Sequence, residues 1–119
     1  MELTLAIYRI VKNFPTEEKF GLISQMQRAS TSIMANIAEG FERYHTKDKI
    51  RFYYLSRGSL AEVQCFLMIC SRLHYVSDEI SNELLAQTER IAQLINGLIR
   101  SLSNNDRVPS DESLVPLTP

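Results

Sequence analysis

Apolar residues recur at steps of three and four along most of the chain. Leu3, Ile7, Ile10, Val11 and Phe14 form one stripe, and Ile23, Met26, Ser30, Ile33, Ile37 and Phe41 a second. A third runs through Ile50, Leu55, Val63, Phe66, Leu67, Cys70 and Leu73, and a fourth through Leu84, Thr88, Ile91, Ile95, Leu98 and Leu102. Such spacing places each set on one side of a helix with ~3.6 residues per turn. Proline is absent from residues 16–108, and only Gly21, Gly40, Gly58 and Gly97 supply glycine, so many short strands are excluded.

Boundary signals divide the stripes. Pro15 stops the first helix, and Thr16 with Glu17 and Glu18 offers a capping hydroxyl and acids suited to a helix N-terminus. Gly40 lies near the end of the second stripe, Thr46 with Asp48 opens the third, and Ser77 caps the fourth. The pattern predicts helices over 2–13, 17–41, 46–74 and 78–103, the two middle ones about 38–44 Å long. Short connections between long helices make neighbours antiparallel. The predicted fold is therefore all-α, an up-down-up-down four-helix bundle over residues 1–103 with a shortened first helix. Residues 104–119, rich in Asn, Asp, Ser and Pro, are expected to form a flexible polar tail.

Composition narrows the class. The chain has 119 residues, 45% hydrophobic and 23% charged, with a net charge of −1. That is ordinary globular composition, and no apolar run approaches the ~18–20 residues a membrane-spanning helix needs. No signal peptide is evident at the start, and two cysteines exclude a disulfide framework, so a cytoplasmic location is expected.

Polar residues stand where a bundle is usually apolar. On the second helix Arg28, Ser32, Asn36 and Glu39 follow one another at helical spacing; on the third Arg51, Gly58, Ser59 and Glu62 form a comparable track. A glycine inside a helix costs ~1 kcal/mol relative to alanine, so Gly58 suggests a packing or contact reason. One reading joins the tracks, with Glu39 and Glu62 accepting from Arg28, Arg51 or Asn36, and so fixes helix register or mates subunits. The other leaves an exposed polar face and a tolerated glycine.

At these residues a family resemblance appears. Phe14-Pro15, Gln25-Met26-Gln27-Arg28-Ala29, Ser32-Ile33-Met34-Ala35-Asn36-Ile37-Ala38-Glu39-Gly40, Arg51-Phe52 and Gly58-Ser59-Leu60-Ala61-Glu62 carry it. Over about residues 2–103 the chain resembles the four-helix bundles encoded in intervening sequences of bacterial large-subunit ribosomal RNA genes, a family that includes the accessory protein of diversity-generating retroelements. The resemblance implies a bundle that often assembles as a homopentamer and has no known catalytic activity. For the retroelement branch it further implies binding of nucleic acid and of a reverse transcriptase. It also favours the joined polar tracks. The chain departs from the family pattern in having no tryptophan before its first stripe, Met34 where relatives commonly have proline, and Arg57 at an often apolar place.

Charge is distributed unevenly. Residues 43–57 hold Arg43, Lys47, Lys49, Arg51 and Arg57 against Asp48, a net +4, interleaved with Tyr44, Phe52, Tyr53 and Tyr54. Residues 77–112 hold three cations against seven acids, a net −4. Cations beside aromatics suit the phosphates and bases of nucleic acid. Equally, the basic start of helix three and the acidic fourth helix suit each other, with Phe52 and some tyrosines serving the core.

Catalytic and metal signals are sparse. Glu42 and His45 have the Glu-x-x-His spacing of di-iron bundles, which need two such pairs and two further glutamates. Cys65 and Cys70 stand about 140° apart on a helix and read as small core hydrophobes. No phosphate loop, nucleophile elbow or zinc-protease string occurs. The sequence therefore predicts a non-enzymatic, self-associating interaction scaffold without metal, cofactor or small-molecule substrate. The alternative is a nucleic-acid-binding accessory protein using residues 43–57, with a reverse transcriptase or ribosomal RNA as partner.

Overall fold

The computed structural model describes residues 2–105, with side chains to residue 103; most of the expected tail lies outside them. Four α-helices span Glu2–Ile10 (α1), Ser24–Glu42 (α2), Thr46–Arg72 (α3) and Asp78–Asn105 (α4). No strand occurs among the described residues. A short 3-10 turn, Val11–Asn13, closes α1.

The core forms where the stripes meet. Leu3, Ile7, Val11 and Phe14 from the first segment join Met26, Ala29 and Ile33 from α2, Leu60, Val63, Leu67 and Cys70 from α3, and Leu84, Ile95 and Ile99 from α4. Helices α2 and α3 hold each other in register. Arg28 reaches Glu62, the Ser59 hydroxyl donates to Ser32 Oγ at 2.9 Å, Ser56 donates to the Ile33 carbonyl at 2.8 Å, and Gly40 faces Tyr53. Rising numbers on α2 thus meet falling numbers on α3. The α3–α4 contacts follow the same rule: Arg57 Nη1 donates to Asn96 Oδ1 at 2.7 Å, Gln64 to Thr88 Oγ1 at 2.9 Å, and Ser71 to Asp78 Oδ1 at 2.7 Å.

Gly40 is where the α2–α3 packing needs the missing side chain. A Cβ there would stand 2.9 Å from Tyr53 Cδ1, closer than packed atoms tolerate. The α3–α4 connection ends in a left-handed His74 (φ 64°), whose N–H meets the Ser71 carbonyl while Tyr75 N–H meets that of Cys70. This closes the last turn of α3 in the way glycine usually does. Ser77 Oγ accepts from the Ile80 N–H at 3.1 Å, the cap its position predicts. Tyr75 then ties the two connections at this end together, its ring 5.1 Å from Phe14 and its hydroxyl donating to Glu18 at 2.9 Å.

Several local expectations are corrected. Thr16 caps nothing: it begins a 3-10 turn, Thr16–Glu18, followed by a π-helical stretch, Lys19–Ile23, in which Gly21 leaves helical geometry (φ −108°, ψ −105°). Regular α2 therefore starts only at Ser24. The start of α3 at Thr46 is as expected, though the residue before it, His45, makes no side-chain cap. Phe41, Leu55 and Leu73 point outward, whereas Tyr53 and Leu60 take core places.

Candidate surface on helices two and three

The eight polar-track residues divide into two groups. Arg28, Ser32, Asn36, Ser59 and Glu62 are brought together along the α2–α3 seam. Asn36 Nδ2 donates to Ser32 O at 2.9 Å and to Ser32 Oγ at 3.0 Å, and Ser59 Oγ donates to that same hydroxyl. Arg28 Nη2 sits 3.3 Å from Glu62 Oε2 and donates at 2.8 Å to Gln25 Oε1. About half of each charged side chain is open to solvent, so this pair contributes ~0–1 kcal/mol and serves register more than stability.

Glu39, Arg51 and Gly58 stand apart from that cluster. Glu39 accepts from Arg43 at 2.8 Å along its own helix, and Arg51 lies over the Phe52 ring at 4.5 Å. Gly58 is exposed, and a Cβ added there would meet nothing within 4 Å. Close approach within the chain therefore explains Gly40 and not Gly58. Gly97 on α4 is equally open, and nothing in the structure explains it.

The outward side of α3 is unusually apolar. Leu55, Gly58, Cys65 and Ile69, with Glu62 among them, follow at three- and four-residue steps, and Tyr54, Ala61, Met68 and Leu73 flank them; all are exposed. Met68 is 53% exposed, Leu55 47% and Ile69 39%. Sequence periodicity missed this surface because it assigned Leu55, Leu73 and Cys65 to the core. The missed signal is a second apolar line on α3 beside the Tyr53, Leu60, Leu67 line, which leaves a long helix apolar on two sides.

The basic segment is partly committed to the fold. Lys49 Nζ donates to the carbonyls of Gly40 (3.2 Å) and Phe41 (3.1 Å), closing the C-terminus of α2. Arg57 bonds Asn96 and lies 4.6 Å from the centroid of the Tyr54 ring. Arg43 and Arg51 both lie over the half-buried Phe52, at 4.7 and 4.5 Å. Lys47 lines an open hollow with Tyr44, His45 and Thr46, and Tyr44 is 89% exposed.

Chemistry is scarce on this surface. Glu42 and His45 are both exposed, and no cluster of three or more metal-ligating side chains occurs among the described residues. Cys65 is exposed, against expectation; Cys70 is buried against Met26, its Sγ 3.4 Å from Sδ. Burial, helped by the nearby Glu18 carboxylate, pushes the Cys70 thiol up to about 11. Tyr75 is held above its ordinary value by its hydrogen bond to Glu18. No helix among the described residues is long and apolar enough to cross a membrane.

These features describe a chain that is helical without strands among the described residues, with an exposed apolar face on α3. The chain belongs to the 23S rRNA-intervening sequence protein family, whose model matches residues 1–97. Its fold is similar to that of a protein of unknown function from the S23 ribosomal protein family of Bacteroides thetaiotaomicron. The two share 25% identity with a TM-score of 0.76, over 82% of this chain and 92% of that one. A search of curated proteins finds no match. The family and this neighbour indicate no enzymatic activity.

Proposed function

We propose that the protein is a non-enzymatic, cytoplasmic, self-associating four-helix bundle of up-down-up-down topology that presents a repeated surface to a partner. The falling register of the α2–α3 and α3–α4 contacts supports the topology. The outward face of α3 carries the self-association reading. Leu55, Cys65, Met68 and Ile69 leave apolar surface in water, and Gly58 weakens the helix at a point where the single chain gains nothing from it. A second copy laid on this face would bury those side chains and use the flat spot at Gly58 for close helix approach. The resemblance to pentameric bundles favours five subunits.

The test is mass in solution. Sedimentation at micromolar concentration is expected to give a multiple of 13.7 kDa. Leu55→Asp with Ile69→Asp, both at exposed positions, is expected to give the single-chain mass with helicity retained. A single-chain mass for the unaltered protein contradicts the reading.

A second reading, nucleic-acid binding, is favoured by Lys47 and Tyr44 lying open beside Arg43 and Arg51 at one end of the molecule. In a ring of identical subunits that corner would repeat. Ribosomal RNA or a retroelement's nucleic acid and reverse transcriptase would be the partners. Gel retardation that weakens steeply with salt, and is lost in Lys47→Glu with Arg51→Glu, is the expected result under it. Retardation unaltered by those changes counts against the corner.

A further inference from the structure

The chain between α1 and α2 is fastened at its two ends and loose between them. Phe14 and Met26 are buried, whereas no residue of Thr16–Glu18 or Lys19–Ile23 is. The sequence explains the irregular backbone there. Lys19 stands seven residues before Met26, about two helical turns, so a regular extension of α2 would aim its ammonium at the core on the side of Met26. The π-helical turn inserts the extra residue that sends Lys19 to solvent, its Nζ 5.5 Å from the centroid of the 88% exposed Phe20 ring. Leu22 and Ile23 pack against the core only in part. A stretch of irregular turns without a buried side chain is the kind that opens locally before a bundle does.

One side-chain hydrogen bond ties this stretch to the α3–α4 connection. The Tyr75 hydroxyl donates to Glu18 Oε2 at 2.9 Å, and the Tyr75 ring packs on Phe14 with centroids 5.1 Å apart. Cys70 belongs to the same group. Its side chain is fully buried, with Sγ 3.4 Å from Met26 Sδ, and its carbonyl accepts from the Tyr75 N–H at 2.9 Å. The Glu18 carboxylate is near enough to act on the thiol. Whatever holds Glu18 in place therefore also holds the surroundings of Cys70.

We infer that residues 16–23 form a flap, bending where Gly21 leaves helical geometry, that opens while the helices stay packed and uncovers Cys70. The Tyr75 hydroxyl on Glu18 is its catch, and buried Phe14 and Met26 are the fixed points on either side. With the catch closed the thiol is sealed; with it released, small reagents reach Cys70 from the end of the bundle. The flap is separate from the outward face of α3 and works whether or not copies associate.

Hydrogen exchange and thiol alkylation of the full chain test this together in Tyr75→Phe, which removes the hydroxyl and keeps the ring on Phe14. Glu18→Gln, which keeps an acceptor for that hydroxyl, is the conservative variant. Ser77→Ala, which weakens α4 without removing the catch, is the control. In Tyr75→Phe the amides of residues 16–23 are expected to exchange at least about fivefold faster, with peptides from 59–67 and 84–99 unaltered. Its intact mass is expected to gain a second alkyl group, on Cys70, without denaturant. The unaltered protein, Glu18→Gln and Ser77→Ala are expected to take up only the one on Cys65. Exchange over 16–23 in Tyr75→Phe that equals that of the unaltered protein overturns the inference, as does a Cys70 that stays unlabelled there. Labelling of Cys70 that keeps pace with exchange of the core peptides also overturns it, because the thiol is then reached by unfolding of the whole bundle.

Discussion

Gly40 and Gly58 show how much a residue's meaning depends on what stands opposite it. Both lie within long helices. At Gly40 the Tyr53 ring occupies the space of a side chain, whereas at Gly58 the space is empty. Gly40→Ala is therefore expected to lower stability by about 1–3 kcal/mol through overpacking. Gly58→Ala is expected to raise the stability of the dilute single chain by up to ~1 kcal/mol. Urea denaturation of both variants checks the contrast; equal effects would contradict it. The cysteines differ in the same way. Alkylation of the folded protein at pH 8 is expected to label Cys65 alone, with Cys70 reacting only after denaturation, as read by mass spectrometry. Because the folded Cys70 thiol is raised from 9.0 to about 11, its contribution is complete below pH 9 and is lost as pH rises through 11. Cys70→Ala is expected to lack that part of the alkaline decline in a pH series of thermal melts.

Among the elements, the ends of α3 and α4 are set by local chemistry. His74 occupies a left-handed conformation that strains any residue with a Cβ, so His74→Gly is expected to stabilise by about 0.5–1 kcal/mol. Ser77→Ala removes the cap of α4 and is expected to cost ~1 kcal/mol. Thermal denaturation measures both, and the opposite sign in either would contradict the capping account. The four helices and the Ser77 cap were legible in the sequence because stripe spacing and local hydroxyl chemistry act over a few residues. The start of α2 was not: Thr16 has the chemistry of a cap, but the chain after Pro15 spends two irregular turns reaching Ser24. Nor was the outward face of α3. Its two apolar lines merge into one list in the sequence, and only the positions of α2 and α4 decide that Leu60 faces in and Leu55 out. The polar tracks were visible as residue types at helical spacing. Which members meet depends on register and rotamer, so Ser32, Asn36 and Ser59 join while Arg51 turns to Phe52.

For the whole molecule, the decisive feature is a bundle with one apolar face too many. A single copy buries its core among α1–α4 and still leaves Leu55, Cys65, Met68 and Ile69 in water. Exposed surface of that kind favours association, and under the proposed self-association the neighbouring cluster of Arg28, Ser32, Asn36, Ser59 and Glu62 would give a second copy a polar edge to register against. The basic corner around Lys47 would then be multiplied by the subunit number, which links the two functional readings in one assembly. Cys65 lies on that same face and reports on it without any mutation. Its alkylation rate in the unaltered protein, measured from nanomolar to high micromolar concentration, is expected to fall as copies cover α3. A rate that stays constant across the whole range contradicts burial of this face between copies.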